Sequence, residues 1–296
     1  MFKKIEEYLD RLKRELKGCD PALIQDALSD AEEHFRTALE EALECTPGIS
    51  EADALYPLVE KYGIPSDIAS AYREIESCVL PTFAVSKPLA AQSFWAKFFG
   101  VLADHRAWGA FLYMLLSAIT GCFYGMWALL GASFSLFSLI LIIGLPVTGL
   151  FLLSIRGIAL MEGRIVEALL GLRMPRKPLF VRKGLGWKDK LKALITESYT
   201  WKAMAYMTLH LPLGLLYSIG IALMLSISIK CILYPLWYWN FGRPLIIFSE
   251  PIYPPVWSIP LISIAGILLV PLTLHLARFV GKIHGRFAKS MLVIKQ

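Results

Sequence analysis

The spacing of apolar residues changes character partway along the chain. From Phe2 to Lys17 the apolar residues Phe2, Ile5, Tyr8, Leu9, Leu12 and Leu16 recur every three or four positions among charges, which predicts a helix with one greasy face. Gly18 follows where a left-handed cap would close it. Asp20-Pro21 supplies an N-cap and a proline at the first helical position of a second helix, which runs to about Glu44 with Leu23, Ile24, Ala27, Leu28, Ala31, Phe35, Ala38, Leu39 and Ala42 along one side. Ser50 to Asp53 forms a capping-box variant opening a third helix through Leu55, Leu58, Val59 and Tyr62. Gly63 ends that helix, Pro65 stops its continuation, and Ser66 is expected to cap a last helix carrying Ile68, Ala69, Tyr72 and Ile75. Beyond residue 105 the periodicity gives way to long apolar runs near Trp108–Leu130, Phe134–Ile155, Met204–Ile229 and Trp257–Leu276, each about the 20 residues that a bilayer crossing needs. The fold class is therefore all-α, a small helical domain at 1–80, a linker at 81–104 and a four-helix transmembrane domain at 105–296.

Composition sharpens the division. With 56% hydrophobic and 18% charged residues and a mean hydropathy of +0.55, the chain is neither disordered nor an ordinary water-soluble enzyme. Residues 1–80 carry a net charge of −9 and the remainder +15. An acidic head precedes a basic, greasy body. The five cysteines, Cys19, Cys45, Cys78, Cys122 and Cys231, form no C-x-x-C pair and support neither a disulfide framework nor a zinc cluster. The charged N-terminal segment lacks the apolar core of a cleavable signal.

Lys and Arg crowd the loop at 156–202 and the C-terminal tail, whereas the opposite side has Arg243 and, at a span end, Lys230. The positive-inside rule then places both termini, the head and the middle loop in the cytoplasm of a multi-pass plasma-membrane protein. Gly131-Ala132-Ser133 is read as the tight turn of the first hairpin. The two hairpins look duplicated: an offset of 93 aligns Trp108, Tyr113, Met114, Gly121 and Tyr124 with Trp201, Tyr206, Met207, Gly214 and Tyr217. An offset of 122 aligns Arg156, Gly163 and Arg164 with Arg278, Gly285 and Arg286. Two hairpins repeated in one orientation predict a pseudo-two-fold axis along the membrane normal.

YLDRLKREL, DALSDAEEHFRTALEEAL and LVEKYGIPSDIASAY, over about residues 1–76, resemble the HAAS signalling domain. That resemblance implies a prokaryotic cytoplasmic helical module joined to membrane segments, with a PadR-type transcription regulator as partner. EGRIVEALLGLRMP, TWKAMAYMTLHLPLGLLYSIGIALML and LYPLWY, over roughly 95–292, resemble the four-span sensor domain found ahead of bacterial histidine kinases. It implies a ligand-responsive module that passes its state to a cytoplasmic output, here the acidic head in place of a kinase. Many relatives carry Arg where His210 stands.

His210 and His275 are the candidate ligand-binding residues within the spans, since an ionisable group at that depth is costly unless paired. A neutral histidine bonded between helices is the structural alternative. Pro146, Pro212 and Pro271 sit within or near spans as kink or packing positions. Trp237 and Trp239 join Tyr238, Tyr253 and Trp257 in an outer aromatic group, read as a lipid anchor or as a ligand cage. Arg164, Trp187, Lys188, Lys190, Lys192 and Arg286 are the candidate membrane-surface residues, with Leu160–Leu172 and Trp187–Tyr199 as amphipathic helices in the headgroup plane. The basic surface is alternatively a receiver for the −9 head, an intramolecular latch. His34 has no second ligand at metal spacing, and no nucleophile, phosphate-binding or zinc-hydrolase motif occurs, so no catalytic residue, metal or cofactor is expected. The expected partners are membrane lipids, a protein that binds the head and a second copy in a homo-oligomer, without direct nucleic acid. The leading reading is a non-enzymatic membrane sensor coupling a stimulus to partner binding by the head, with a small transporter or permease subunit as the alternative.

Overall fold

Asp20, Ser50 and the prolines start the helices of the head as their chemistry dictates. In the computed structural model, which describes residues 2, 4–45, 49–78, 93–140, 144–177, 187–242, 244–247 and 250–294, the head comprises α1 (Ile5–Glu15), α2 (Pro21–Cys45), α3 (Glu51–Tyr62) and α4 (Pro65–Cys78). Gly18 turns the chain at φ +94°. The Ala22 N–H donates to Asp20 Oδ1 at 2.9 Å. The Asp53 N–H donates to Ser50 Oγ at 3.2 Å, while the Ser50 hydroxyl returns a bond to Asp53 Oδ2 at 2.6 Å. Ser66 does not cap α4. The helix starts at Pro65, whose missing N–H is no loss at a first helical position, so Ser66 falls inside the first turn and bonds Asp67.

The greasy faces of these helices close on Tyr8, which is fully buried with Ile5, Leu12, Leu16, Phe35 and Leu55. Its hydroxyl donates to the Gly63 carbonyl at 2.8 Å, tying α1 to the end of α3. Phe35 and Tyr62 pack edge-on at 5.0 Å, and His34 stacks on Tyr62 at 4.6 Å. Burial pushes the Tyr8 hydroxyl well above the usual phenol range and that of Tyr62 up to about 12. A raised folded-state value favours the neutral phenol, so this stability is complete below pH ~10 and is lost as pH rises through about 12. Far-UV circular dichroism should therefore show the head's share of helix melting between those values, together with a cooperative rise in phenolate absorbance. Helix content unchanged as pH rises through about 12 would contradict this.

The body holds α5 (Phe94–Gly100), α6 (His105–Ser138), α7 (Gly144–Leu170), α8 (Trp187–Thr196), α9 (Ser198–Phe241) and α10 (Ile259–Leu292). Four of these, α6, α7, α9 and α10, are long and apolar enough to cross a membrane, the last with the 3₁₀ turn before it. The chain is thus an all-α, multi-pass membrane protein. The Pro-rich connection after α9 also forms a short antiparallel ladder, Leu245–Ile247 on Glu250–Ile252.

Three boundaries differ from expectation. The first hairpin does not turn at Gly131–Ser133; α6 continues through them to Ser138. Gly131 is instead a flat spot where a Cβ would overlap the Phe151 ring of α7, a packing role that looks like a turn in sequence. Ser135 donates to Thr148 Oγ1 at 2.7 Å across the same hairpin. The stretch from Leu160 is not a separate in-plane helix but the continuation of α7 to Leu170, with Ala159, Glu162, Gly163, Val166 and Glu167 buried along it. Its amphipathicity serves protein contact. Finally, residues 93–103 of the expected linker fold as α5 and a 3₁₀ turn, while 79–92 lie outside the described residues.

The chain divides into two units. One contains Met1–Val85, Trp127–Met207 and Phe287–Gln296; the other contains Ser86–Met126 and Thr208–Arg286.

Candidate functional site

Polar residues buried in the N-terminal half of α2 mark the first site. Gln25, Asp26 and Ser29 lie opposite the apolar stripe that builds the head core, yet they are 3%, 5% and 8% exposed. A buried polar face needs partners. They come from the same unit. Gly171 closes α7 at φ +68°, with its N–H on the Glu167 carbonyl at 3.1 Å, and releases a segment outside helix and strand, Leu172 to Lys177. Asp26 Oδ1 accepts the N–H groups of Arg176 at 2.7 Å and Lys177 at 3.1 Å. Asp26 Oδ2 accepts Arg173 Nη2 at 3.0 Å, and both side chains are about nine-tenths buried. Arg173 also reaches Glu76 of α4 at 3.4 Å, and Lys177 pairs with Asp30, which Tyr72 braces at 2.7 Å. Glu167 holds Arg173 and Arg176 from the α7 side at 3.3 and 2.8 Å. The end of α10 adds Lys289 to Asp20 and the Ile294 N–H to Gln25 Oε1 at 3.0 Å.

Electrostatics follow the burial. Asp26 is desolvated, which pushes its carboxyl up, although the two backbone donors and the charges of Arg173 and Arg176 pull it down. Burial also raises Asp30, but hydrogen bonds from Lys177 and Tyr72 outweigh it and leave this carboxyl below its ordinary value. The latch between an acidic head and basic segments is therefore an ordered set of directional bonds; simple attraction between opposite surfaces would not require it.

The second site lies in the other unit. His210 of α9 and His284 of α10 are fully buried with ring centroids 5.2 Å apart. Tyr113 of α6 shares a 2.7 Å hydrogen bond with His284 Nε2, and Thr120 a 3.2 Å bond with His210 Nε2. Tyr124 stands 5.9 Å from the His210 ring. α6 and α9 approach closely here: a Cβ on Gly121 would sit 2.7 Å from the His210 carbonyl oxygen, and one on Gly214 would overlap the Ser117 carbonyl. Paired imidazole and hydroxyl groups at such a crossing can hold or pass a proton and join helices in an apolar medium.

Both offsets of the repeat recur in contacts that the sequence comparison did not use. The Trp108 indole donates to the Leu102 carbonyl at 2.8 Å, and Trp201, 93 residues on, donates to that of Ile195 at 2.7 Å. Asp104 pairs with Arg278 at 2.7 Å, and Glu197 with Arg156. Tyr113 bonds His284, and Tyr206 donates to Glu162 Oε1 at 3.0 Å. Thus α5 and α8 also correspond, starting 93 residues apart.

Of the residues singled out from the sequence, His210 belongs to the buried cluster. His275 does not; its Nε2 meets the Phe98 carbonyl at 3.1 Å and its ring stacks on Phe98, fastening α5 to α10. Trp237 and Trp239 are 48% and 75% exposed; Trp237 packs on Phe241 at 5.4 Å. Arg164 reaches Glu167 at 3.5 Å, and Lys192 and Arg286 are exposed. Trp187, Lys188 and Lys190 open α8, but their side chains lie outside the described residues. His284 and Asp26 had been missed. The Gly163–Gly285 match already put Glu162 and His284 in register. Asp26 had no such signal.

Compared with known families, residues 113–292 match the family model described as Putative sensor, and residues 7–71 match the HAAS model. No curated protein and no solved structure matches the chain.

Proposed function

The chain belongs to the Sensor family, and from that premise we propose that its four spans receive a stimulus and set how firmly the head is docked, and hence its access to protein partners. That it is a membrane sensor and signalling protein follows from the two family matches and the apolar helices. Both families are non-catalytic, and the HAAS domain is a protein-interaction domain. The proposed role is accordingly non-enzymatic, with a PadR-type regulator as the soluble partner, lipids around the spans and homo-oligomerisation left compatible with it.

One observation carries the coupling. The acidic face of α2 is held by the segment leaving α7 at Gly171 and by the end of α10, the two places where membrane helices emerge beside the head. Signalling helices move by about 1–2 Å. Hydrogen bonds weaken steeply over such a distance, so displacing α7 or α10 would exchange a docked head for a free one. Contacts of the head with both a post-α7 loop and a post-α10 tail also support a shared membrane side, and the Lys and Arg distribution supports reading that side as cytoplasmic.

The test compares full-length protein in detergent as bait for cytosol in three forms: wild type, Arg173→Gln, which removes the cation paired with Asp26 and leaves the head's own residues unchanged, and an Asp30→Cys/Lys177→Cys disulfide that locks the head down. A partner retained most by Arg173→Gln and least by the locked form is expected. Equal retention by the released and locked forms, or no head-dependent protein in any form, would overturn the coupling.

A further inference from the structure

We infer that the α2–α4 face of the head is a receptor for a basic peptide segment, filled here in cis by Arg173 to Lys177, and that a protein partner engages it with a segment of the same chemistry. The inference deepens the coupling reading and rests on it for biological meaning.

The face does more than collect negative charge, because a stretch of chain is seated on it with defined contacts. Asp26 supplies the anchor: its Oδ1 takes two consecutive main-chain N–H groups, and its Oδ2 takes a guanidinium. Two consecutive N–H groups converging on one oxygen require the backbone to turn at Arg176 and Lys177, since an extended strand points successive groups to opposite sides, and they exclude proline at both positions, whatever the side chains. Pro175 precedes them and restricts Met174 to extended geometry. Side-chain selection comes from two places. Asp26 and Glu76 bracket Arg173, and Asp30, braced by Tyr72, takes Lys177. The head thus reads a cation, three intervening residues of which the last offers its N–H, and a second cation whose own N–H is used.

Charge decides the class of occupant. Three carboxylates, Asp26, Asp30 and Glu76, repel phosphate, so anionic lipid and nucleic acid are poor ligands for this face. A basic protein segment fits. The cis segment is tethered to the head and competes at an effective concentration on the order of millimolar, so a trans peptide gains access only when the cis segment is withdrawn. This matches a site gated by the helix that bears it.

The test uses the full chain in nanodiscs and a fluorescein-labelled peptide with the sequence of residues 170–177, followed by anisotropy. The triple variant Arg173→Ala/Arg176→Ala/Lys177→Ala vacates the face, and Arg173→Gln alone is a milder second version if the triple variant is poorly folded. Saturable peptide binding is expected for the vacated forms, at least tenfold tighter than for wild type and lost on adding Asp26→Asn. A scrambled peptide of equal charge should bind at least tenfold more weakly. Equal binding of the scrambled peptide, indifference to Asp26→Asn, or no binding by a vacated form whose head helices persist would overturn the inference. These outcomes are read without any cellular partner. A peptide result that fails while locked and released forms still differ in partner capture would leave the coupling standing and remove only the receptor.

Discussion

Asp26→Ala is expected to undock the head while its own four-helix core stays folded. The substitution deletes the acceptor of three bonds and leaves the Arg176 and Lys177 N–H groups and part of the Arg173 guanidinium without an acceptor. Leaving buried charged or donor groups unmatched costs about 2–3 kcal/mol net here, below the extreme for a broken buried pair because Glu167 and Glu76 still hold Arg173. That corresponds to a roughly 30- to 150-fold fall in the docking equilibrium. Trypsin provides the readout, since Met174 after Arg173 is fully buried when docked. Where opening is rapid relative to cleavage, the cleavage rate follows the open population, so it should rise by the same factor. Asp53→Ala, at an exposed capping carboxylate of α3, serves as the control and should leave cleavage unchanged. Added salt should do less than Asp26→Ala, because screening acts on the exposed Lys177–Asp30 pair far more than on the buried Arg173–Asp26 pair. An Asp26→Ala protein cut no faster than wild type would show that this carboxylate does not hold the head.

Gly214→Leu is expected to be the most damaging single change within the spans. A Cβ at this position overlaps the Ser117 carbonyl of α6, a backbone atom that no rotamer change can remove. The helices would have to separate, and the Ser117 hydroxyl would lose its 3.3 Å bond to the Gly214 carbonyl. Overpacking at a close crossing costs on the order of 3 kcal/mol, or roughly 6–12 °C in melting temperature for a domain of this size. Gly220→Leu, further along the same helix with nothing within 4 Å of the added carbon, should melt within a degree or two of wild type. Thermal unfolding in detergent decides the matter; similar melting of the two variants would mean that the α6–α9 crossing is not as close as described. Because Gly121 faces the His210 carbonyl at the same crossing, Gly214→Leu should also disturb the Thr120–His210 bond.

How much could be read in advance differs by element. Helix starts at Asp20 and Ser50 and the stops at Gly18 and Gly63 were legible because a cap is a bond among near neighbours. Ser66 misled because serine and proline both announce a helix start, and only one residue can hold the position. Gly131 misled for a similar reason: a glycine marks either a turn or a place where another helix comes near, and the choice depends on Phe151, twenty residues away. The repeat was legible from matched aromatic and glycine positions, and it carried more information than was taken from it, since it aligns Glu162 with His284 and Asp104 with Glu197. His275 was read with His210 as a histidine within the spans; α10 remains helical past Arg278 and buries His284 beside His210.

Local chemistry in the sequence was enough to determine the acidic four-helix head, the four apolar spans and their duplication, because periodicity, caps and hydropathy act over a few residues. The tertiary structure alone decided that Asp26 receives a segment 147 residues away and that Tyr113 meets a histidine 171 residues away. Such contacts leave no periodic trace. Their partners are selected by whichever groups arrive together when separate helices pack, and a buried charge or imidazole then has to be matched by what is there.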